Sequence, residues 1–576
     1  MNGWSDSIRR TFGAFADLSP LVRRKFFSLL PGIVLANVSS LILINVDGVV
    51  IGNFVSSTAF AAVALVAPVI SAIGVLVAAF GGFSTGVAIG QAIGHNDQQE
   101  LRDCYRSGFV LACALAVGVA VFEAPVFRML IGASGAGPEL AQEAWAYARG
   151  MMIALVIGVM TTFGTYVLIA NGKTRPLVYL TLFEGIVNLV ADVGFVKFLG
   201  MGTAGAGYGT AVANIMRLGA TVYVVLYETD AYRSIRLGRA RSIPTILGFG
   251  RSTFIVGLVG SVSAYCMNRL VVCTLGDSGM VMKAVGDFSL TIASAVYGGV
   301  GLSVGPLLAL FVGDGSYREM KKVLRFGVLV DLCLVGALAV VMALVPSALC
   351  RLNGVVNPPD GTFAVVRFYC LFFLFAAVNK LISLCLVNLK KQMAATVLPL
   401  LEGSVLLLSF AWLFSRIDGR LLFCGYAAAS AVALAIGCVV IRSVWKGLQD
   451  ETRRISFDLV PETVSQTVER LLKELPEYGV QPAQATRIGI AVEETSAYLK
   501  SSGRNGDVQI HASLAIGKDK VTLSVLDDGA RVNLTDRINA FATDLVYDNI
   551  GMINAVSRKV NYQYVMDMNV TTLEIK

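Results

Sequence analysis

Two aspartates lie inside long apolar stretches, where an ionisable side chain is costly and is therefore a candidate for function. Asp47 stands late in the first apolar stretch, and Asp192 follows Asn188 by four residues in a later one. Residues four apart share one face of a helix, so Asn188 and Asp192 would point the same way. A carboxylate and an amide that face a second carboxylate can share a proton or bind a small cation. We therefore predict a proton or cation site here; the alternative is that both aspartates only reach the outer membrane interface.

The composition requires a membrane around most of the chain. Of 576 residues, 55% are hydrophobic and only 15% are charged, whereas soluble domains have about 25% charged residues. Residues 451–576 are different, because they hold 14 basic and 17 acidic side chains, against 33 and 22 in residues 1–450. These figures predict a long membrane part followed by a soluble domain. The basic excess of the membrane part indicates orientation in the bilayer rather than binding to nucleic acid.

Apolar stretches of about 20 residues predict the membrane spans. We count twelve, at about 25–47, 58–92, 104–127, 144–170, 176–198, 204–227, 245–275, 281–311, 321–348, 362–388, 393–415 and 421–446. Most basic residues near the span ends fall on one side of this arrangement. The positive-inside rule then places both termini in the cytoplasm.

An internal repeat relates the two halves of the membrane part at an offset of about 219 residues. The motif Gly-x-Ser-x-Gly occurs at 82–86 and again at 301–305, and Glu184-Gly185 recurs as Glu402-Gly403. Six spans per half make the repeat parallel, as in many secondary transporters. Alternating access between two facing bundles is the expected consequence, although channels and membrane enzymes also contain repeated bundles.

The stretch 188–211 resembles the signature across spans five and six of multidrug and toxic compound extrusion (MATE) transporters. Asp47-Gly48 with Gly52 is similar to their passage from span one to span two, and the similarity covers about residues 20–446. The resemblance implies an exporter with two six-helix lobes, driven by a proton or sodium gradient. It also implies an amino-lobe coupling site at four positions: Asp47, Asn188, Asp192 and Thr210.

The second half departs from the first at the position nearest Asp47, where it has Asn268-Arg269. A duplicated cation pocket is therefore not expected. Arg269 has three interpretations: it pairs with Asp287, it contacts an anionic substrate, or it only reaches the outer interface. Lys380 is a further charge in an apolar stretch and a candidate for the transport cavity.

Residues beyond the membrane part alternate strand and helix patterns. Strands are predicted at about 455–460, 507–515, 520–527 and 561–575, and helices at about 464–475, 481–500 and 549–560. This order predicts an α+β sandwich with one mixed sheet under helices. It resembles the histidine-kinase-like ATPase fold, closest to the anti-sigma-factor serine-kinase branch.

That resemblance implies a nucleotide site at four positions: Glu494, Asp527, Gly529 and Gly551. Tyr498 stands where the family has the magnesium-binding asparagine, and Arg531 stands where it has a second glycine. Tyrosine is a poor ligand for a hard cation, so ATP hydrolysis and kinase activity are not expected. Two interpretations stay open: nucleotide binding with Arg531 against phosphate, and a degenerate fold that regulates the transporter or binds a cytoplasmic protein.

The predicted organisation follows from these patterns. It comprises a cytoplasmic segment 1–22, an amino lobe 23–230, a basic linker 231–244, a carboxyl lobe 245–446, a linker 447–456 and an ATPase-like domain 457–576. The ten cysteines all lie in the membrane part without metal-type spacing, so neither a disulfide framework nor a metal site is expected.

The function predicted from the sequence is proton- or sodium-coupled efflux of organic, cationic or amphipathic compounds from a bacterial inner membrane. The cytoplasmic domain is predicted to sense a nucleotide, such as ATP, or a protein partner. Membrane lipid and a small-molecule substrate are the other expected partners, and nucleic acid is not. Two alternatives are a lipid-linked oligosaccharide flippase of the same superfamily and a membrane-tethered ATPase or signalling kinase.

Overall fold

The computed structural model describes residues 18–576 apart from 45, 96–97, 172, 230, 449–452, 461–462, 503–507, 518–519, 530–545 and 566–567. Within these ranges the membrane part is helical, and a small sheet domain follows it. The mainly apolar sequence of the first 447 residues explains this division, because a helix satisfies its own backbone hydrogen bonds in lipid.

The first half of the membrane part is described by nine helices. They are α1 Pro20–Ile44, α2 Val46–Phe54, α3 Ser57–Leu76, α4 Ser84–His95, α5 Gln98–Ala133, α6 Pro138–Ala170, α7 Thr174–Val193, α8 Gly202–Glu228 and α9 Ala231–Leu237. Two π-helical segments, Val77–Phe83 and Gly194–Phe198, continue α3 and α7. The helices extend beyond several predicted spans, since their ends project past the apolar stretch.

The second half is described by seven helices. They are α10 Ile243–Asp314, α11 Tyr317–Leu344, α12 Pro346–Leu352, α13 Thr362–Asn388, α14 Gln392–Leu400, α15 Leu407–Ser415 and α16 Cys424–Gly447. A π-helical segment, Leu401–Leu406, joins α14 to α15, and a 3₁₀ turn, Gly419–Phe423, precedes α16.

Among the described residues, ten helices are long and apolar enough to cross a membrane. One of them, Thr253–Asp314, has 62 residues, which is about 93 Å of helix and enough for two passes. Gly276 interrupts α10 with a non-helical φ of 65°, between the two spans predicted there. The multi-pass, mainly helical fold class is therefore confirmed, and the count of twelve spans stays a prediction.

The two halves use the same close helix contact. A Cβ on Gly108 would lie 2.3 Å from Cγ2 of Thr85, and a Cβ on Gly327 would lie 2.8 Å from Cγ2 of Val304. Gly108 allows α5 to approach α4, and Gly327 allows α11 to approach α10. The two contacts occur at corresponding positions of the internal repeat. The internal repeat therefore corresponds to a repeated packing arrangement.

Among its described residues, the C-terminal domain has five strands and three α-helices. They are β1 Arg453–Leu459, α17 Val464–Glu474, α18 Pro482–Ser502, β2 Ile510–Ile516, β3 Val521–Asp527, α19 Val546–Val556, β4 Ser557–Val565 and β5 Met568–Ile575. The order is β1-β2-β3-β5-β4, and every neighbouring pair is antiparallel. The prediction of a mixed sheet was wrong. Two helices connect β1 to β2 and bring the chain back in the opposite direction, so that the two strands are antiparallel. The last helix also ends at Val556, four residues before its predicted end, and β1 begins inside the predicted linker.

The sheet is covered on both faces. One face packs on α17, α18 and α19 through residues such as Leu523 and Ile488. On the other face, Leu526 and Met568 belong to the same buried cluster as Phe26 of α1 and Phe311 of α10. The domain is therefore docked on the membrane helices at the end where α10 finishes.

Candidate functional site

The predicted coupling residues come together in the amino lobe. Asp47 lies in the first turn of α2, Asn188 and Asp192 lie on α7, and Thr210 lies on α8. Asp47 and Asn188 are each 7% exposed and Asp192 is fully buried. The aspartates therefore face the interior of the lobe, and the interpretation that they only reach an interface does not fit these positions.

A chain of hydrogen bonds joins the two carboxyl groups. The Thr210 hydroxyl donates to Oδ2 of Asp47 at 2.8 Å. Nδ2 of Asn188 donates to the Thr210 hydroxyl at 3.2 Å and to Oδ1 of Asp192 at 3.3 Å. The helix spacing between Asn188 and Asp192 thus works as the sequence predicts, and Thr210 completes the link to Asp47.

Tyr147 of α6 is the residue of this site that sequence reasoning missed. Its hydroxyl donates to Oδ2 of Asp47 at 2.9 Å, and its side chain is almost fully buried. A tyrosine in an apolar helix gives no signal in a single sequence, because tyrosines are common in such helices. Only the fold, which brings the Tyr147 hydroxyl within hydrogen-bond distance of Asp47, identifies it.

Glycines of α8 make the site compact. A Cβ on Gly209 would lie 2.1 Å from Oδ1 of Asp192, so the α8 backbone passes directly against this carboxyl group. The α8 backbone also packs closely against α6, where a Cβ on Gly207 would lie 2.7 Å from the carbonyl oxygen of Tyr147. These contacts explain why the stretch 202–209 is rich in glycine.

A cavity of about 510 Å³ opens beside the site. Asp47, Tyr147, Asn188 and Thr210 line it together with apolar side chains. The cavity also contains Arg217, which forms an ion pair with Glu184. The basic charge at this wall is therefore already neutralised by another acid.

Two buried carboxyl groups in one small site have a definite chemistry. No lysine or arginine forms an ion pair with Asp47 or Asp192 within the described parts of the chain. Oδ2 of Asp192 is buried without a hydrogen-bond partner among these residues. Two ionised carboxylates in such surroundings repel each other and lack hydration, so the arrangement can hold a proton or a small cation.

One of the three interpretations of Arg269, its pairing with Asp287, does not match the structure. Asp287 forms an ion pair with Lys283, one helical turn earlier on α10, and not with Arg269. Arg269 is exposed, and Lys380 lines a separate cavity of about 460 Å³ together with Glu402. The spacing Lys283-x-x-x-Asp287 is the signal that could have identified the pair, because residues four apart meet on a helix.

The positions named for nucleotide binding are only partly together. Asp527 ends β3 and is 1% exposed; Oδ1 accepts from the backbone N–H of Gly529 at 3.0 Å and from Nδ2 of Asn569 at 2.8 Å. Glu494 is half-buried and Gly551 is exposed. Arg531 lies outside the described residues.

The surroundings of Asp527 and Tyr498 affect the chemistry that the C-terminal domain can perform. Burial raises the pKa of Asp527 to about 6, although Asn569 and the N–H of Gly529 oppose the shift. Tyr498 is fully buried in the hydrophobic core between α18 and the sheet. The position at which the resemblance to the ATPase fold implies a magnesium-binding asparagine is thus filled by an aromatic ring that packs in the core.

The contact between the sheet and the membrane helices is polar at its centre. Asp314, at the end of α10, accepts from Ser513 at 3.0 Å and from Ser524 at 2.7 Å, and it pairs with Arg454 at 3.0 Å. Ser316 also donates to it. One carboxylate of the membrane part is therefore held by three strands of the C-terminal domain.

A second polar contact holds the start of α1. The Ser19 hydroxyl donates to Oδ1 of Asp458 at 2.7 Å, and Nδ1 of His511 lies 2.8 Å from the same oxygen. Burial alone would raise the pKa of Asp458, but the hydrogen bonds from His511 and Ser19 hold it below its usual value. Asp528 also forms an ion pair with Arg24 of α1 at 3.4 Å.

Comparison with known proteins gives the class of this fold. The MatE family model matches residues 33–193. An inward-facing multidrug resistance MATE transporter of the MOP superfamily aligns with a TM-score of 0.66 at 19% identity, covering 72% of this chain and 98% of its own. The outward-facing conformation of such a transporter aligns with a TM-score of 0.57 at 19% identity, covering 74% and 97%.

A third structure is a MOP superfamily transporter from Pyrococcus furiosus, for which a reverse polarity of the binding pocket is described as suggesting a different function. It aligns with a TM-score of 0.58 at 19% identity, covering 74% of this chain and 97% of its own. Among curated proteins, none matches this chain in sequence. The chain therefore has the fold of the MATE transporters over most of its length.

Proposed function

We propose that this protein is a secondary active exporter that exchanges a proton or sodium ion for an organic, cationic or amphipathic compound. The observation that carries the proposal is the linked pair Asp47 and Asp192, buried in the amino lobe without a basic partner among the described residues. The fold, similar to that of multidrug resistance transporters, supports the same conclusion. Its place would be a plasma membrane, with both termini in the cytoplasm.

The coupling step follows from the charge of the site. With a proton or cation bound, the pair Asp47 and Asp192 carries less negative charge and can remain in a closed, dry lobe. When the cation leaves, the carboxylates repel each other and require water or a cationic ligand. An organic cation in the adjoining cavity is such a ligand, so substrate and coupling ion would compete for one negative site.

The charge of the cavity favours a cationic substrate over the lipid-linked oligosaccharide of a flippase. A flippase cavity for a pyrophosphate-linked substrate needs unpaired basic side chains. Here Arg217, the basic residue in the amino-lobe cavity lining, is paired with Glu184. In the carboxyl lobe, Lys380 shares its cavity with Glu402. Both cavities therefore have basic side chains beside acidic ones.

The C-terminal domain is proposed to regulate transport rather than to hydrolyse ATP. Tyr498 packs in the domain core instead of presenting a ligand for magnesium, which disfavours the ATPase and kinase alternative. The domain also contacts α1 through Ser19 and α10 through Asp314. A cavity of about 1130 Å³ lies beside this contact, between α10 and the sheet, and offers space for a nucleotide or a segment of a protein partner.

The proposal is tested with the purified full chain in proteoliposomes loaded with organic cations, ethidium first. Proton and sodium gradients are imposed separately, and protein-free liposomes give the leak. Efflux that follows one gradient and stops when that gradient is collapsed is expected. No gradient-driven flux across a panel of such cations, or flux that requires ATP, would contradict the proposal.

A further inference from the structure

The carboxyl lobe contains its own carboxylate with a built-in counter-charge, Asp287, whose side chain is 33% exposed. One oxygen of Asp287 accepts the hydroxyl of Tyr369 at 2.9 Å, and the other forms the ion pair with Lys283. Tyr369 is fully buried, and the Lys283 side chain is only 6% exposed. Such a lysine has lost nearly all its hydration, so its charge depends on Asp287.

The amino lobe presents a carboxylate to a tyrosine in the same way. Tyr147 donates to Asp47 at 2.9 Å, as Tyr369 donates to Asp287 at 2.9 Å. The difference lies in the remaining partner. Asp47 is linked through Thr210 and Asn188 to a second carboxyl group, whereas Asp287 meets an ammonium group.

This difference changes what each lobe needs from solution. The amino-lobe site lacks positive charge and can become neutral only by binding a proton or cation. The carboxyl-lobe site is already neutral, because the ammonium group of Lys283 stands against the carboxylate of Asp287. The other titratable groups facing the pair are the phenols of Tyr369 on α13 and Tyr426 on α16. Neither phenol is charged at neutral pH.

We propose that Lys283 is a tethered cation that permanently occupies the site at Asp287, so that this carboxylate takes up no proton or cation from solution during transport. Asp287 then contributes no ion to the exchange that the amino-lobe pair carries out. In this respect the inference rests on the proposed coupling role of Asp47 and Asp192. Replacing Lys283 by an uncharged side chain would leave Asp287 in need of a proton or cation from solution.

The test removes the amino-lobe site first, so that only the carboxyl lobe can respond. The parent is the full chain with Asp47→Asn and Asp192→Asn, purified in detergent, and it is compared with three further variants made in it. These are Lys283→Met, Lys283→Arg, and Lys283→Met combined with Asp287→Asn. The melting temperature of each is followed by tryptophan fluorescence from about pH 5 to about pH 8, in sodium chloride and in choline chloride.

The expected result is a new cation dependence in Lys283→Met alone. Relative to the parent, its melting temperature should fall as the pH rises, because a partly buried carboxylate without its counter-charge is then ionised. Added sodium should recover part of this loss. Lys283→Arg and the variant that also carries Asp287→Asn should follow the parent.

Three results would overturn the inference. They are a Lys283→Met protein that follows the parent at every pH, the same pH dependence after Asp287→Asn, and failure of Lys283→Met to fold even at acid pH while the double replacement folds. Because the parent lacks both amino-lobe carboxylates, none of these results depends on whether those groups couple transport. Failure of the proposed function would instead appear as absent gradient-driven efflux by the unmodified protein.

Discussion

Asp47 and Asp192 differ in their partners from Glu184 and Asp287, two other acids of the apolar helices. Glu184 and Asp287 each have a basic side chain in contact, whereas the described partners of Asp47 and Asp192 are hydroxyl and amide groups. Neutral partners can orient a carboxyl group but cannot balance its charge. Charge balance at this pair therefore requires a proton or a bound cation.

Asp527 gives the C-terminal domain a predictable pH response. Its pKa is about 6 in the folded protein and about 3.9 in an unfolded chain. The folded state therefore binds the proton of Asp527 more tightly than the unfolded chain does. This contribution to the free energy of unfolding is fully present below about pH 4 and is lost as the pH rises to about 6, a decrease of about 3 kcal/mol in total. Asp527→Asn removes this component.

The response is measured as the urea midpoint at which residues 453–576 of the full chain become sensitive to a protease pulse. The stability of the unmodified domain, minus that of Asp527→Asn, should decrease between about pH 4 and about pH 6. A difference that increases over this interval would show that the carboxylate is preferentially ionised in the folded domain.

At the scale of elements, the crossing of α8 over α7 positions the proposed coupling pair. Gly209→Ala places a methyl group 2.1 Å from the original position of Oδ1 of Asp192, so the helices must separate or the carboxyl group must move. Efflux should fall at least about tenfold, since misplacing a reacting group by about 1 Å can cost about a hundredfold.

The matched control is in the same helix. Nothing lies within 4 Å of a Cβ on Gly219, so Gly219→Ala should retain efflux and gain up to about 1 kcal/mol of helix stability. Equal efflux by the two variants would mean that the close approach of α8 to Asp192 is not needed for coupling.

The sequence predicts elements well where one pattern determines them. Acidic residues are rare in apolar stretches, so Asp47 and Asp192 were found without a structure, and the four-residue spacing placed Asn188 on the same face. Of the three interpretations of Arg269, the pairing with Asp287 does not occur, because Asp287 pairs with Lys283 instead; the sequence interpretation did not consider the four-residue spacing to Lys283. Strand direction in the C-terminal sheet depends on how the connecting helices return the chain, and no local pattern contains this information.

At the scale of the whole molecule, the first span connects three parts. Leu21 and Phe26 of α1 pack in a cluster with Phe311 and Phe326 of the carboxyl lobe, and α2 carries Asp47 into the amino lobe. The C-terminal domain contacts the start of α1 through Asp458. Movement of this domain would therefore act on the helical unit that precedes the coupling site.

Docking of the C-terminal domain depends on Asp314. Its carboxylate accepts hydrogen bonds from Ser513 and Ser524 and forms an ion pair with Arg454. Asp314→Ala should reduce the free energy of docking by about 1.5–3 kcal/mol. Hydrogen–deuterium exchange should then increase in β2, in β3 and at the start of α1, and the rate of efflux should change.

The control for docking is Glu228→Ala, which removes an exposed ion pair with Lys173 elsewhere in the membrane part. Such pairs contribute little, and exchange in β2 and β3 should not respond. If Asp314→Ala leaves exchange in the sheet unchanged, the polar contact does not hold the domain in place.

Gradient-driven efflux by Asp47→Asn and Asp192→Asn tests the central claim most directly. Asp331→Asn is the matched control, because Asp331 is a fully buried acid of the carboxyl lobe outside the proposed site. In proteoliposomes with the gradient that drives the unmodified protein, both amino-lobe variants should insert normally and lose gradient-driven ethidium efflux, while Asp331→Asn retains it. Unimpaired efflux by the two amino-lobe variants would contradict the assignment of coupling to this pair.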